Sequence, residues 1–189
     1  MFELEEYAKK NNVPIMQPDG IKFLKNYIEK NKIKNILEIG SAIGYSAICM
    51  AKLNKEIKVV TIERDLERYN EAVKNIKKFD LEDQITIIND DAFNVDLDSK
   101  FDLIFIDAAK SQSTKFFLKF QKNLNSKGTI ITDNINFHGL TYAIEVKNRN
   151  TRQLVRKIRE YVEFLKENRD FTTTIVDDGD GIAISVKNN

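Results

Sequence analysis

The chain has no tryptophan, two prolines, seven glycines, one histidine and one cysteine in 189 residues. A lone Cys49 excludes an intramolecular disulfide and any multi-thiolate metal site. No internal repeat, low-complexity tract or Pro/Gly/Ser linker interrupts the sequence, so one continuous domain over residues 1–189 is expected. Neither sign of charge dominates: 30 basic residues face 29 acidic ones. A uniformly basic nucleic-acid coat is thereby excluded, although a local basic patch is not. No apolar run approaches the ~18 residues that a membrane helix needs. The acidic opening Met1-Phe2-Glu3-Leu4-Glu5-Glu6 has no apolar signal region, so a cytoplasmic location without membrane contact is the expectation.

What is present is an alternation. Short β-branched or aromatic runs at 34–39, 57–63, 84–88, 101–107 and 128–132 predict strands. Amphipathic patterns lie between them. The clearest covers 65–79, where Leu66, Tyr69, Ala72, Val73, Ile76 and Phe79 recur at helical spacing behind the capping residue Asp65. Such alternation implies an α/β fold, a doubly wound sheet with right-handed crossovers. Two further helices, near 2–10 and 19–31, precede this core of residues 34–189, with breakers at Pro14 and Pro18 between them. A long helix near 148–168 and strands at 171–176 and 182–186 close the chain. The short link Asp177-Asp178-Gly179-Asp180-Gly181 predicts an antiparallel hairpin. It lacks the EF-hand spacing and final glutamate, so it reads as a plain turn.

Leu37-Glu38-Ile39-Gly40-Ser41-Ala42-Ile43-Gly44-Tyr45-Ser46 is a strand, a tight glycine turn and a helix start. Gly40 permits close backbone approach, and the following helix offers free N–H groups. Ala42 stands where a dinucleotide fingerprint has its middle glycine, and no Gly-Lys-Ser/Thr follows. Glu38 would repel a pyrophosphate but suits a cationic amino group, held directly or through water. Glu63 ends the second strand, where an acid can take both ribose hydroxyls. Asp91-Ala92 follows the third, at the expected adenine edge. Acids after three successive strands beside a glycine turn point to a nucleoside site.

Two further strands end in carboxylates. Leu103-Ile104-Phe105-Ile106 runs into Asp107-Ala108-Ala109-Lys110, and Thr129-Ile130-Ile131-Thr132 runs into Asp133-Asn134. Neighbouring strands of an open sheet end side by side, where ligands bind. Asp107, Asp133 and the Asn134 amide oxygen form a donor set for a hard divalent cation, with Lys110 as the adjacent base. His138 reads as a solvated loop residue and Cys49 as core.

These motifs, taken together and in this order, resemble the metal-dependent class of S-adenosylmethionine O-methyltransferases, which includes the catechol and caffeoyl-CoA enzymes. The likeness covers nearly the whole chain. It implies a Rossmann-like, seven-stranded sheet, mostly parallel with one antiparallel strand in the C-terminal hairpin, and a homodimer. Val13-Pro14-Ile15-Met16 resembles the segment that closes over the methionine part of the cofactor. By this resemblance Met16, Glu38, Gly40, Ser46, Glu63, Asp91, Ala92 and Asp107 are cofactor-site candidates. Mg²⁺ on Asp107, Asp133 and Asn134 would acidify and aim an acceptor hydroxyl, and repulsion from that cation favours a neutral, proton-accepting Lys110. Asp107 and Lys110 are thus the catalytic pair.

Such a metal asks for two adjacent acceptor oxygens, which catechols and 5-hydroxyuridine both provide. Between residues 145 and 159, six basic residues (Lys147, Arg149, Arg152, Arg156, Lys157 and Arg159) stand against one acid. Directly after the metal loop, Lys147, Arg149 and Arg152 are candidates for gripping RNA phosphates. Val155, Ile158, Val162 and Leu165 give the same segment an apolar stripe, so a solvated helix face is the competing reading. Asn12–Met16, the Leu37–Ala47 turn, Phe105–Lys110, Ile130–Asn134 and Gly179–Ser185 resemble the bacterial tRNA 5-hydroxyuridine methyltransferases. That resemblance makes the tRNA anticodon the expected partner, with a small catechol-like phenol as the alternative acceptor.

Overall fold

Apolar strands separated by amphipathic helices can bury both faces of a sheet at once, and the chain folds in that way. The computed structural model describes every residue except Ile144, Lys147 and Asn189. Helices α1 (Phe2–Lys10) and α2 (Pro18–Lys30) lead into β1 (Asn35–Ile39) and α3 (Tyr45–Ala51). Then come β2 (Lys58–Glu63), α4 (Leu66–Lys78), β3 (Ile85–Asn89) and β4 (Phe101–Ile106). A 3₁₀ turn at Lys110–Gln112 precedes α5 (Ser113–Phe120) and β5 (Leu124–Thr132). Helix α6 (Arg149–Glu167) and the hairpin β6 (Phe171–Val176) and β7 (Ile182–Lys187) complete the chain.

The seven strands form one sheet in the order β3-β2-β1-β4-β5-β7-β6. Strands β1 to β5 pair in parallel, and β7 runs antiparallel to both β5 and β6. This is the expected Rossmann-like sheet, with its single antiparallel strand in the hairpin. Strand order reverses between β1 and β4, which opens a crevice at their carboxyl ends.

Alternation along each strand divides the core. Ile36, Leu103, Phe105 and Ile131 pack on one side with Leu24, Ile28, Ile48 and Met50 from α2 and α3. Leu37, Ile104, Ile106 and Ile130 face the other side, against Phe117 and Phe120 of α5 and Tyr161 and Leu165 of α6. Phe117 centres this second layer, with the rings of Tyr161, Phe164 and Phe171 meeting it edge-on. The buried Tyr161 hydroxyl pairs with Thr132 Oγ1 at 2.7 Å.

Local chemistry explains the ends. Asp65 accepts the Arg68 N–H at 2.9 Å to cap α4, and Asn148 caps α6 through the N–H groups of Asn150 and Thr151. Helix α2 begins at Pro18, one residue earlier than expected, because a proline's preset φ suits a first helical turn. Strand β5 begins at Leu124 where the sequence suggested 128. Buried Leu124 pairs with Phe101 ahead of a register shift, so the strand runs through the polar stretch as an irregularity in the ladder. Among the described residues, no helix is long and apolar enough to cross a membrane.

Truncating the ring at the centre of the second layer removes a fully buried aromatic. Phe117→Ala is expected to cost about 3–5 kcal/mol of unfolding free energy, measured by urea titration.

Candidate active site

The crevice at the β1/β4 switch point is a cleft of about 670 Å³. Its floor depends on a close backbone approach. Asp107 N–H donates to Ile39 O at 3.0 Å, Gly40 takes a φ of +96°, and a Cβ on Gly40 would run into the Asp107 carbonyl oxygen. Only glycine meets both demands at once.

Met16, Gly40, Ser46, Glu63, Asp91, Ala92 and Asp107 all line this cleft. Glu63 is nearly buried, and its two oxygens accept the N–H groups of Ala42 (2.8 Å) and Asp65 (2.9 Å). That fixes its plane while leaving lone pairs for hydroxyl donors. Asp91 is set by the Phe93 N–H at 2.9 Å. Among the described residues, the buried Ser41 Oγ and Gln112 Oε1 have no hydrogen-bond partner, and both residues line the cleft. Unpaired polar atoms in a walled cleft are a sign of a polar ligand.

Glu38 departs from expectation. It does not line the cleft; it is wholly buried, with Ser46 Oγ donating to one carboxylate oxygen and Thr61 Oγ1 to the other, the latter at 2.5 Å. Of the two expected routes to an amino group, direct or through an intermediary, this burial leaves the indirect one: Glu38 orients Ser46, which reaches the cleft. Burial pushes its carboxyl up to about 7, despite the two hydroxyl donors.

The metal candidates gather at the neighbouring rim. Asp107 and Asn134 line the cleft, and Asp133 lies buried behind them. Asp133 accepts the Asn134 backbone N–H at 2.8 Å and its side-chain N–H at 2.9 Å. With its amide nitrogen spent on Asp133, Asn134 keeps its amide oxygen for a ligand. Its φ of +60° is a left-handed backbone that the paired strand ends hold in place. Lys110 Nζ donates to Asp107 Oδ1 at 2.7 Å. Burial, then repulsion by Asp107 and Asp180, pushes the Asp133 carboxyl up to about 7 against the pull of Lys110. Among the described residues no three acidic, histidine or cysteine side chains converge to chelate one ion. The donor set is two carboxylates and an amide, and a hard cation that keeps several waters fits it.

Other features were not anticipated. Phe93 and Phe116 stack at 4.7 Å between centroids and 8° between planes, giving the cleft an aromatic wall beside Asp91-Ala92. The aromatic residue directly after that acid turn was the available signal. Asp180, in the supposed plain turn, is 6% exposed and lines the cleft. Its Oδ1 accepts the His138 N–H at 2.6 Å.

Of the RNA candidates, Arg149 and Arg152 are exposed in the first turns of α6, outside the cleft, and Lys147 lies outside the described residues. Arg156 and Lys157 pair with Glu160. Arg159 donates to the carbonyls of Thr141 (2.7 Å) and Ala143 (2.6 Å), tying the loop after Asp133-Asn134 to α6.

Fold and site define a Rossmann-like methyltransferase. The chain belongs to the O-methyltransferase family, whose model matches residues 1–188. A catechol O-methyltransferase of Niastella koreensis is 31% identical over 184 residues, covering 90% of this chain and 81% of that protein. A caffeoyl-CoA O-methyltransferase of Populus kitakamiensis is 26% identical over 95% of this chain and 80% of its own. Among solved structures, a caffeoyl-CoA O-methyltransferase candidate from Staphylococcus aureus shares 42% identity at a TM-score of 0.93, covering 98% of this chain and 90% of that one. The O-methyltransferase of Bacillus cereus in complex with SAH shares 26% identity at a TM-score of 0.84, covering 98% and 89%.

Glu38 ionises later in the folded protein than in the unfolded chain. Its contribution to stability is therefore fully present at pH below the usual carboxylate range and is lost as the pH climbs through about 7. Between about pH 4.5 and 7.5 the loss should be on the order of 3 kcal/mol. Urea titrations across that range should show Glu38→Gln flattening the decline.

Proposed function

We propose that the protein transfers a methyl group from S-adenosylmethionine, with Mg²⁺, to the 5-hydroxyl of 5-hydroxyuridine at the tRNA wobble position, giving 5-methoxyuridine. The observation that carries the chemistry is the meeting of Asp107, Asn134 and Lys110 on the rim of the cleft, with Asp133 directly behind.

S-adenosylmethionine supplies a methyl carbon on a sulfonium, and Mg²⁺ supplies the positive charge that makes an acceptor hydroxyl acidic. The protein's residues do the rest. Glu63 is oriented to receive ribose hydroxyls, and Phe93 and Phe116 offer a flat apolar wall for a base. Ser46, held by Glu38, presents a fixed oxygen to the amino-acid end. Asp107, Asp133 and the Asn134 amide oxygen would hold the cation, leaving positions for two acceptor oxygens. Lys110 Nζ is placed to take the hydroxyl proton. Reaction then rests on alignment of the oxygen behind the methyl carbon in a walled site.

The RNA assignment is supported by α6. This helix packs against the Lys110–Gln112 turn, and its first turns expose Arg149 and Arg152. Among the described residues, neither has an acidic partner within 4 Å. Two such guanidinium groups, exposed at the start of a helix that also contacts the Lys110–Gln112 turn, suit phosphates. The second reading, a small phenol with adjacent oxygens, is favoured by the catechol and caffeoyl-CoA relatives.

Side-by-side assays on hydroxyuridine-bearing tRNA and on free catechols separate the two. The RNA reading expects faster turnover of tRNA that falls with added salt, and about tenfold weaker tRNA use in Arg149→Ala/Arg152→Ala. Faster, salt-insensitive turnover of the phenol would refute it. On whichever substrate reacts, Lys110→Ala should lower kcat by about 10²–10⁴-fold. Asp133→Ala should abolish cation-dependent turnover while S-adenosylhomocysteine still binds, as read by calorimetry.

A further inference from the structure

The hairpin turn before β7 pushes an acid into the molecule where solvent would suit it better. Asp180 is 6% exposed, and its Oδ2 has no hydrogen-bond partner among the described residues. The nearest positive candidate, His138 Nδ1, lies 3.5 Å away on a largely exposed ring. Burying a carboxylate oxygen without a partner is costly unless something compensates the charge.

Its surroundings indicate what compensates. Asp180 lines the same cleft as Asp107, Lys110 and Asn134, and its charge is felt at Asp133. Three carboxylates therefore share this rim with one lysine, an excess of two negative charges (three less one). They do not converge closely enough to chelate one ion together. One divalent cation on Asp107, Asp133 and Asn134 would bring that excess to zero.

The turn is also built to hold its acid still. Asp180 Oδ1 accepts the His138 N–H at 2.6 Å, Asp180 O accepts the Asn136 N–H at 2.9 Å, and Gly181 O accepts the Ile135 N–H at 3.0 Å. Three successive contacts thus bind the hairpin to the segment that leaves Asp133-Asn134. Gly179 meanwhile packs against Gly20 of α2, its added Cβ position 3.4 Å from that backbone.

We propose that Asp180 is a positioning residue of the cation rim: it does not ligate the ion but holds it from outside the ligand set, through its fixed negative charge and its unpartnered Oδ2. This rests on the metal reading given above and extends it to a residue on a different element. A water bound to the cation is the natural donor to Oδ2.

The test is calorimetric titration of Mn²⁺ into the metal-free protein at about pH 8.5, in one buffer for the native protein and every variant. Asp180→Asn keeps an oxygen for the His138 N–H and removes the charge. It should weaken Mn²⁺ binding about tenfold or more, with S-adenosylhomocysteine affinity unchanged. Asp180→Ser, which keeps a hydroxyl acceptor, should behave alike and serves where Asn does not fold. A Mn²⁺ affinity within twofold of the native protein, in either folded variant, would overturn the proposal and leave Asp180 a clamp on the loop. Failure of the native protein itself to bind Mn²⁺ would instead overturn the metal reading, and this inference with it.

Discussion

Everything at the functional end of the molecule depends on how closely two strand ends approach. The Asp107 N–H reaches Ile39 O at 3.0 Å, and Gly40 turns away through a left-handed φ that leaves no room for a side chain. That contact places the glycine turn and the β4 carboxylate on one crevice wall. The nucleoside-binding half and the rim of Asp107, Lys110 and Asn134 thereby become adjacent, which transfer between two bound molecules requires. The switch in strand order supplies the crevice; this contact sets its width.

Charge is the second organising quantity. Glu38 and Asp133 are buried acids with carboxyls pushed up to about 7, but their surroundings differ. Glu38 has a hydroxyl donor on each oxygen, and burial outweighs the repulsion it feels from Asp107 and Glu63, so it serves as a buried anchor for Ser46 and Thr61. Asp133 faces two further carboxylates, and its donors both come from Asn134. The first arrangement is complete in itself. The second leaves its charge uncompensated within the protein, which is the ground for the cation proposed above.

Much of this was legible in the residues, for physical reasons. Strands β1 and β4 are buried on both faces, so their apolar runs stand out, and a turn of glycines or acids follows each. Asp65 and Asn148 announce helix starts because their side chains bond the first free N–H groups. Other features needed three dimensions. Glu38 and Glu63 look alike as strand acids, yet the first is sealed inside and the second reaches the cleft, since Glu38 lies level with Thr61 while Glu63 is the last residue of β2, two positions nearer the crevice. Asp180 sits in a run rich in Asp and Gly, where turn chemistry explains each residue without reference to anything distant. Leu124 looked isolated because a register shift separates it from the rest of β5. Cleft-lining Phe116 belongs to an ordinary amphipathic stripe, and nothing local marks its partnership with Phe93.

The loop leaving Asp133-Asn134 is moored at two places outside the parallel strands. Asp180 holds its early residues, and the Arg159 guanidinium holds Thr141 and Ala143 near its far end. These moorings grip main-chain atoms; between them Ile135 and Thr141 are buried, while the His138 and Tyr142 side chains are exposed and the Phe137 and His138 side chains border the cleft. Acceptor preference in this architecture can therefore drift by exchange of loop side chains while the donor half keeps its shape, much as a lathe takes new cutting bits in an unaltered toolpost.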